Sequence, residues 1–262
     1  MIFSKLFGRK APPPPVRKFF PENRLEALLM QAANDPSTRP EFYKELLVAD
    51  LFVLIAPGDH PYGNFVAQPG ETLSIKGITV EGRKLIPVFT SERRLREYIQ
   101  AQDSQARLNG RALLSMIATQ NDGIVLNPAS GYGKEFTSHE VISLVDGSIF
   151  QPRQQVLAKE TKVLMGMPKE YPTEVVNALV RYFQGSSEVK KAYVAQIHMP
   201  DSGEPPHLIF SIQVDGDFRR LASDLGVVFQ SILAADQFAD LIQFGQGNLD
   251  DFFETQQPFF QR

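Results

Sequence analysis

The sequence predicts an α+β protein built from two domains, and three observations support this fold class. The chain has 262 residues, a length at which a single hydrophobic core is near the size where chains divide into domains. In the first half, strand and helix patterns mix without regular alternation, which is typical of α+β proteins. In the second half, the patterns follow the order βαββαβ. We therefore predict an N-terminal mixed α/β domain followed by a ferredoxin-like C-terminal domain.

The N-terminal domain is predicted over residues 22–148. Asn23, with Glu26 three residues later, forms a variant of the capping box and predicts a first helix, which ends at Pro36. A second helix begins near Pro40, which is tolerated in a first helical turn. The further predicted elements are strands at 51–55, 72–75, 85–89 and 124–126, a helix that Ser91 opens, and helices at 111–118 and 137–145.

The C-terminal domain is predicted over residues 161–262, after a polar linker without periodicity at 149–160. Apolar residues at three- and four-residue steps predict its helices, and short apolar or alternating runs predict its strands. A ferredoxin-like sheet carries both helices on one face, so we expect the other face to be open or paired with a partner. In order, the elements are strand 162–165, helix 173–183, strands 189–199 and 208–214, helix 218–233 and strand 240–244.

Residues 1–21 form a basic tail and a polyproline spacer ahead of both domains. Residues 1–18 contain five Lys or Arg and no acidic residue, and residues 11–16 read APPPPV. Consecutive prolines favour an extended polyproline II segment. The whole chain has a net charge of −3, so the remainder is acidic, which disfavours nucleic-acid binding. The tail is predicted either to dock on an acidic partner, a protein or a membrane surface, or to be only a solvated arm.

The composition excludes several kinds of chemistry. The chain contains no Cys, which excludes disulfides, thiolate nucleophiles and thiolate-bound metals. No run approaches the roughly 18–20 apolar residues that span a bilayer, so no integral membrane segment is predicted. The first residues also lack the apolar stretch of a secretory signal. A cytoplasmic protein is therefore expected.

A glycine-rich loop ahead of a predicted helix is the first candidate site. Residues 130–134 read SGYGK, but Pro128 and Glu135 stand where a Walker A loop needs Gly and then Ser or Thr. Two glycines and a lysine before a helix N-terminus can still bind a carboxylate or phosphate, or can form a plain turn. The candidate anion or ligand loop consists of Gly131, Gly133, Lys134 and Glu135.

The helix after this loop carries the first half of a zinc-protease motif. His139-Glu140 begins the pattern HExxH, but Ser143 stands where the second His is required. Thr137 and Glu140 instead have the spacing of a capping box. Neither a metal site nor a serine-hydrolase elbow is found in the sequence. We accordingly predict no metal, no cofactor and no set of catalytic residues.

The two strands of the predicted hairpin suggest a second candidate site. Alternation along each strand places its polar residues on one face and its apolar residues, including Phe210, on the other. If the strands pair, the polar rows share the face that carries no helix. Two His without further ligands favour an interaction face over a metal site, and the absence of exposed aromatics disfavours RNA binding. The candidate interaction face consists of Gln196, His198, His207, Ser211 and Gln213.

Short motifs in both halves match, in order and spacing, those of a known family. In the first half they are Pro40-Glu41-Phe42-Tyr43, Ile86-Pro87-Val88-Phe89-Thr90-Ser91, and Leu126-Asn127 leading to Gly133-Lys134-Glu135-Phe136. In the second half they are Val189–Tyr193, Asp215-Gly216-Asp217 and Pro258-Phe259-Phe260. On these residues the chain resembles the enhanced serine sensitivity (SseB) family over residues 22–262.

The resemblance implies a bacterial cytoplasmic protein with an N-terminal and a C-terminal family domain, linked to serine sensitivity and without an established reaction. The family is sometimes labelled rhodanese-like, but a rhodanese needs a Cys nucleophile, which this chain lacks. The leading hypothesis is a non-enzymatic binding or regulatory protein that has a protein partner or associates with itself. The alternatives are a small-molecule sensor for an amino acid or an anion, and an enzyme that uses no thiol.

Overall fold

The computed structural model describes residues 19–56, 64–65, 74–99, 104–151, 162–200, 203–234 and 236–262. These residues form two separate sheets with helices packed on them, so the predicted α+β class is confirmed. The basic tail at 1–18, most of the predicted linker and part of the predicted strand 72–75 lie outside the described residues. No helix among the described residues is long and apolar enough to cross a membrane.

The N-terminal domain surrounds one mixed sheet, and its elements follow the predicted order with four additional strands, at 64–65, 78–80, 105–109 and 134–136, that the hydrophobic pattern missed. Its helices are α1 (Arg24–Asn34), α2 (Arg39–Val48), α3 (Glu92–Tyr98), α4 (Gly110–Thr119) and α5 (Ser138–Asp146). Its strands are β1 (Asp50–Leu54), β2 (Asn64–Phe65), β3 (Ile78–Val80), β4 (Arg83–Phe89), β5 (Gln105–Asn109), β6 (Gly123–Leu126) and β7 (Lys134–Phe136).

The predicted helix starts are confirmed by their caps. The Asn23 side chain accepts a hydrogen bond from the Glu26 backbone N–H at 2.9 Å and thereby starts α1. Ser91 caps α3 in the same way. Thr137 and Glu140 form a complete capping box at the start of α5, in which each side chain bonds the backbone N–H of the other.

The strand β4 lies at the centre of the N-terminal sheet. The order is β2-β5-β1-β4-β6-β7, and β3 pairs with the first part of β4. The strands β4 and β6 are parallel neighbours, so their carboxyl ends lie side by side at one edge of the sheet. In open sheets this edge is where ligands are commonly bound, and the chain leaves it through Thr90 and Asn127.

The C-terminal domain contains the predicted βαββαβ order, followed by a short helix and strand that the sequence did not predict. Its main helices have one apolar face each, which packs on Val194, Phe210 and Ile212 of the sheet. Its elements are β8 (Leu164–Gly166), α6 (Thr173–Gln184), β9 (Val189–His198), β10 (His207–Val214), α7 (Phe218–Gln230), β11 (Ala239–Gln243), α8 (Asp250–Glu254) and β12 (Phe260–Gln261).

The strand order of this sheet is not the predicted ferredoxin-like one. In that split arrangement, the first strand would lie between the two strands that α7 connects. Instead β10 and β11 are direct parallel neighbours, and β8 pairs with β9 at the opposite edge, giving the order β11-β10-β9 with β8 and β12 beyond β9. Element order alone cannot distinguish these arrangements, because both have the same succession of strands and helices along the chain.

The face of this sheet opposite α6 and α7 is covered rather than open. Tyr193, Ala195, Ile197 and Ile209 form an apolar cluster with Phe253 of α8. The Tyr193 ring also stacks on that of Phe244 at 5.3 Å between centroids. The C-terminal segment that carries α8 therefore closes the face that we expected to be available.

The two domains are packed against each other through helices. Val227 of α7 is 1% exposed and belongs to the N-terminal hydrophobic core. A short 3₁₀ helix (Ser148–Phe150) follows α5, contacts α7 and buries Ile149 in the same core. The N-terminal domain thus extends into the first residues of the predicted linker.

Candidate functional site

The predicted anion loop is folded onto its own counter-ions. Lys134 Nζ lies 2.9 Å from Glu140 Oε1 and 4.4 Å from the centre of the Phe136 ring. Glu135 is paired with Arg83. Gly133 is required by packing, since a Cβ there would lie 2.6 Å from the Leu126 carbonyl oxygen. With its Lys and Glu both paired, the loop of Gly131, Gly133, Lys134 and Glu135 offers little free charge to an anion.

The predicted interaction face is divided between the two sides of the sheet. The hairpin pairs His207 with Ile197 and Leu208 with Gln196, so Gln196 and His198 lie on the side of α6 and α7. His207, Ser211 and Gln213 lie on the other side. The prediction that all five share a face is therefore wrong, because a shift of one residue in register reverses the relation between two strands.

The His207 ring is held in place by a hydrogen-bond partner at each of its two nitrogens. The His207 Nε2 atom lies 2.9 Å from Asp240 Oδ2, and its Nδ1 atom lies 3.0 Å from the carbonyl oxygen of Pro205. The His207 ring is buried against Phe238, with 4.2 Å between centroids. Both ring nitrogens of His207 are thus occupied, which argues for a positioning role rather than for general base catalysis.

A buried polar centre in the N-terminal domain consists of Glu26, Thr90, Arg94 and Asn127. Glu26 is 0% exposed, and its carboxylate accepts hydrogen bonds from Arg94 Nη2 at 2.9 Å and from Thr90 Oγ1 at 2.7 Å. Asn127 Oδ1 accepts from the Thr90 backbone N–H at 2.9 Å. The centre joins the start of α1 to the carboxyl ends of β4 and β6.

The charged form of the centre is stabilised by its hydrogen bonds. Burial raises the pKa of Glu26, but bonds from Arg94, from Thr90 and from the Glu22 backbone outweigh it and hold that pKa below its ordinary value. The pKa of Arg94 is raised by the same pairing in spite of burial. A fully bonded carboxylate of this kind stays ionised and binds its neighbours, so it is a poor proton donor.

The chain itself covers the polar centre. The Arg94 guanidinium lies 4.1 Å from the centre of the Phe19 ring and donates to the Phe20 carbonyl oxygen at 2.7 Å. The Phe19 ring also packs edge-on against Tyr132 at 5.1 Å. The edge of the sheet at which a ligand would be expected is therefore occupied by residues 19–20.

The sequence predicted that Glu26 belongs to a helix cap, but it did not predict the role of Glu26 in the polar centre. The signal was present, because Thr90 and Asn127 each belong to one of the motifs on which the family resemblance rests. These two residues are 37 positions apart in the chain, and the parallel pairing of β4 with β6 brings them together.

An interdomain groove of about 520 Å³ lies between α2, α6 and the start of α7. Asp224 on its floor is buried and accepts from Tyr182 Oη at 2.7 Å and from Lys44 of the other domain. Burial, and then the Asp224 charge, raise the pKa of Tyr182. Arg181 pairs with Asp35 across the same boundary, with Nε to Oδ1 at 3.0 Å. The groove thus carries charges of both signs, each already paired between or within the domains.

A C-terminal pocket of about 660 Å³ lies beyond the N-terminus of α6. It is lined by residues 170–175, 205–208, 232–233 and 236–238, together with Gln196. Two residues of the predicted interaction face, Gln196 and His207, therefore meet here from opposite sides of the sheet. Tyr171 on the rim is 50% exposed, and the nearby Leu164 and Met167 are similarly exposed.

The charge on the lining of the C-terminal pocket is of one sign. Glu170, Glu174 and Asp236 line it, and no Lys or Arg is found among the described residues of the lining. Among the described residues, none of these three carboxylates is within ion-pair distance of a cation. No cluster of potential metal ligands occurs in the described part of the chain. The carboxylates are therefore available to a cationic organic ligand.

The fold and these sites define a two-domain α+β protein in which a covered polar centre in one domain accompanies an open acidic pocket in the other. The chain belongs to the SseB family: residues 25–142 match the SseB protein N-terminal domain and residues 157–262 match the SseB protein C-terminal domain. It is 28% identical over 246 residues to Protein SseB of Escherichia coli (strain K12). The aligned region covers 92% of this chain and 93% of that protein. The same identity and coverage hold for Protein SseB of Shigella flexneri.

Proposed function

We propose that this chain is a non-enzymatic regulatory protein of the cytoplasm that acts by binding, and that the C-terminal pocket is its binding surface. One observation carries the proposal. In this pocket, a half-exposed aromatic ring lies among carboxylates that have no ion partner in the part of the chain that the structure describes, whereas Glu26, Lys134 and Asp224 are paired within the chain.

The chemistry of the pocket favours a cationic peptide segment as the ligand. Carboxylates attract Lys and Arg side chains, and exposed aromatic rings bind cations and proline rings on their faces. The volume of about 660 Å³ is within the range of sites that hold a few side chains. A protein partner that presents a basic, proline-containing segment would satisfy both features.

The remaining candidates for acid–base chemistry support binding rather than catalysis. His207 has a partner at each ring nitrogen, and Lys134 is held by Glu140. Sulfur transfer of the rhodanese type is excluded because the chain has no Cys. The link with serine sensitivity is compatible with a regulator, since that phenotype does not require the protein to catalyse a reaction.

The proposal is tested with a fluorescently labelled peptide of alternating Lys and Pro and with its Glu-Pro counterpart. We expect the intact chain to bind the Lys-Pro peptide, and binding to weaken about tenfold or more in Glu170→Gln/Glu174→Gln and in Tyr171→Ala. The matched control is Asp251→Asn/Glu254→Gln, which removes the same charge from exposed positions of α8. Equal binding by all variants, or no preference for Lys-Pro over Glu-Pro, would contradict a role for the pocket.

The interdomain groove favours a second candidate function, the sensing of a free amino acid. Lys44, Arg181 and Asp224 place both signs of charge around a polar groove between two domains, a common location of ligand sites. Titration calorimetry with serine, and with glycine for comparison, tests it. Heat of binding that is lost in Arg181→Ala supports the sensor, and absence of heat or of a thermal shift argues against it.

A further inference from the structure

We propose that the chain forms a two-fold symmetric dimer through the outer edge of β11 (Ala239–Gln243). This strand pairs with β11 of a second copy, so that the two C-terminal sheets join into one. The surface is distinct from the C-terminal pocket, and the inference does not rest on the proposed function. A strand at a sheet edge presents unpaired backbone N–H and C=O groups, which are able to recognise another strand.

The strand β11 lacks the features that usually protect a sheet edge from pairing. Such features are short length, Pro, Lys and β-bulges. β11 has five residues, reads ADLIQ and pairs with β10 without a shift of register. The other edge strands, as far as the structure describes them, have only two or three residues, and one of them contains Lys134. Among the described edges, β11 is therefore the one best suited to accept a further strand.

The backbone of β11 directs three residues to the open edge. The Phe244 N–H donates to the Ile212 carbonyl oxygen of β10 at 3.0 Å, and the residues of a strand bond its two sides alternately. Every second residue back from Phe244 therefore bonds β10, whereas Ala239, Leu241 and Gln243 direct their N–H and C=O groups outwards. No strand in the described part of the chain pairs with this edge.

The order of residues in β11 favours a second copy of the chain as the partner. A two-fold axis at Leu241 places Ala239 opposite Gln243 of the second copy, so that all three outward residues exchange backbone hydrogen bonds. Asp240 then lies opposite Ile242 of the second copy rather than opposite another carboxylate. The Asp240 carboxylate is also paired with a histidine ring, so like charges do not oppose the pairing.

Charges of opposite sign flank β11 and are brought together by the same pairing. Asp236 is exposed just before the strand, and Arg219 lines a pocket together with Gln243 at the far end. Neither has an ion partner among the described residues. Antiparallel pairing brings the start of β11 in one copy beside its end in the other, and thus Asp236 towards Arg219. Exposed pairs of this kind contribute more to orientation than to affinity.

Sedimentation equilibrium of the purified chain tests the surface. We expect a dimer that Gln243→Pro weakens about tenfold or more in Kd, because proline removes an outward N–H and none that bonds β10. The matched control, Gln243→Ala, keeps that N–H and should remain dimeric. Circular dichroism verifies that both variants are folded. A monomeric unmodified chain, unchanged association of a folded Gln243→Pro, or equal loss in both variants would overturn the inference.

Cross-linking tests the register and is independent of how well the proline variant folds. The chain has no Cys, so a single introduced thiol can form a disulfide only with its copy. In Leu241→Cys the two Cα atoms should lie about 5.5 Å apart across the axis, which suits a disulfide. In the control, Gln243→Cys, they should be separated by about 13 Å along the strands.

On mild oxidation with copper-phenanthroline, Leu241→Cys should therefore form a covalent dimer and Gln243→Cys should not. If Leu241→Cys gives no covalent dimer, or if both variants cross-link equally, the two-fold pairing of β11 is overturned.

Discussion

The polar centre of the N-terminal domain and the pocket of the C-terminal domain both contain carboxylates, but those carboxylates differ in burial and in pairing. In the centre, Glu26 is fully buried and bonded to Arg94 and Thr90. In the pocket, Glu170 and Glu174 are exposed and have no ion partner within the described residues. Charged groups that bond one another hold segments of a chain together, whereas carboxylates without partners can be used by a ligand. Substitution in the two regions should therefore affect different properties.

The largest effect is expected from Arg94→Ala. This substitution leaves the Glu26 carboxylate buried without its cation, a change that typically costs about 3–5 kcal/mol of unfolding free energy. Urea unfolding followed by circular dichroism measures it. The control is Arg96→Ala on the same helix, whose pair with Glu92 is exposed and is expected to contribute no more than about 0.5 kcal/mol. Similar losses in both variants would contradict the structural role of the centre.

A smaller loss is expected at the domain boundary from Asp224→Ala. The substitution removes the acceptor of the buried Tyr182 hydroxyl and the partner of Lys44, at a cost of about 1–3 kcal/mol. Lys44→Ala is the matched control. Because the Lys44 side chain is half exposed, its loss should cost less than about 1 kcal/mol. If Lys44→Ala were as destabilising as Asp224→Ala in urea unfolding, the ion pair rather than the buried acceptor would hold the boundary.

A pH titration of stability should reveal the charged state of the polar centre. The pKa of Glu26 in the folded chain lies below its ordinary value of 4.5. Its stabilising contribution is therefore complete above that value and is lost as the pH falls through the lower, folded pKa. We expect the unfolding free energy of the unmodified chain to decline more steeply on acidification than that of Glu26→Gln. Parallel curves for the two proteins would show that Glu26 does not titrate in this way.

The smallest effect on stability is expected in the pocket. Tyr171→Ala removes a half-exposed ring, and such surface changes usually alter the unfolding free energy by less than about 0.5 kcal/mol. The same substitution should nevertheless weaken binding of the Lys-Pro peptide. A midpoint of urea unfolding far below that of the unmodified chain would mean that Tyr171 supports the fold, and the comparison between the two regions would fail.

Local patterns predicted the main helices well, because caps and apolar periodicity act over a few residues, whereas they missed four short strands of the N-terminal sheet. Asn23, Ser91 and Thr137 each start the helix that their sequence context indicates. Pairing between distant strands was not predictable in this way. The position of β8 beside β9, and the register that separates Gln196 from His207, depend on contacts across the sheet.

The candidate sites were predicted less well, for a related physical reason. Lys134 was correctly placed ahead of a helix, but its partner Glu140 was assigned only a capping role, whereas its carboxylate serves both. The three carboxylates of the C-terminal pocket come from α6, the segment before it and the segment after α7. Nothing in their spacing along the chain indicates that they line one cavity.

The burial of Val227 in the N-terminal core has a consequence for how the molecule unfolds. The boundary between the two family domains falls between residues 142 and 157, yet this hydrophobic core contains side chains from both sides of it. Severing the chain at that boundary would expose apolar surface on each fragment. We therefore expect the two domains to unfold as one cooperative unit, so that a heating scan shows a single transition for both.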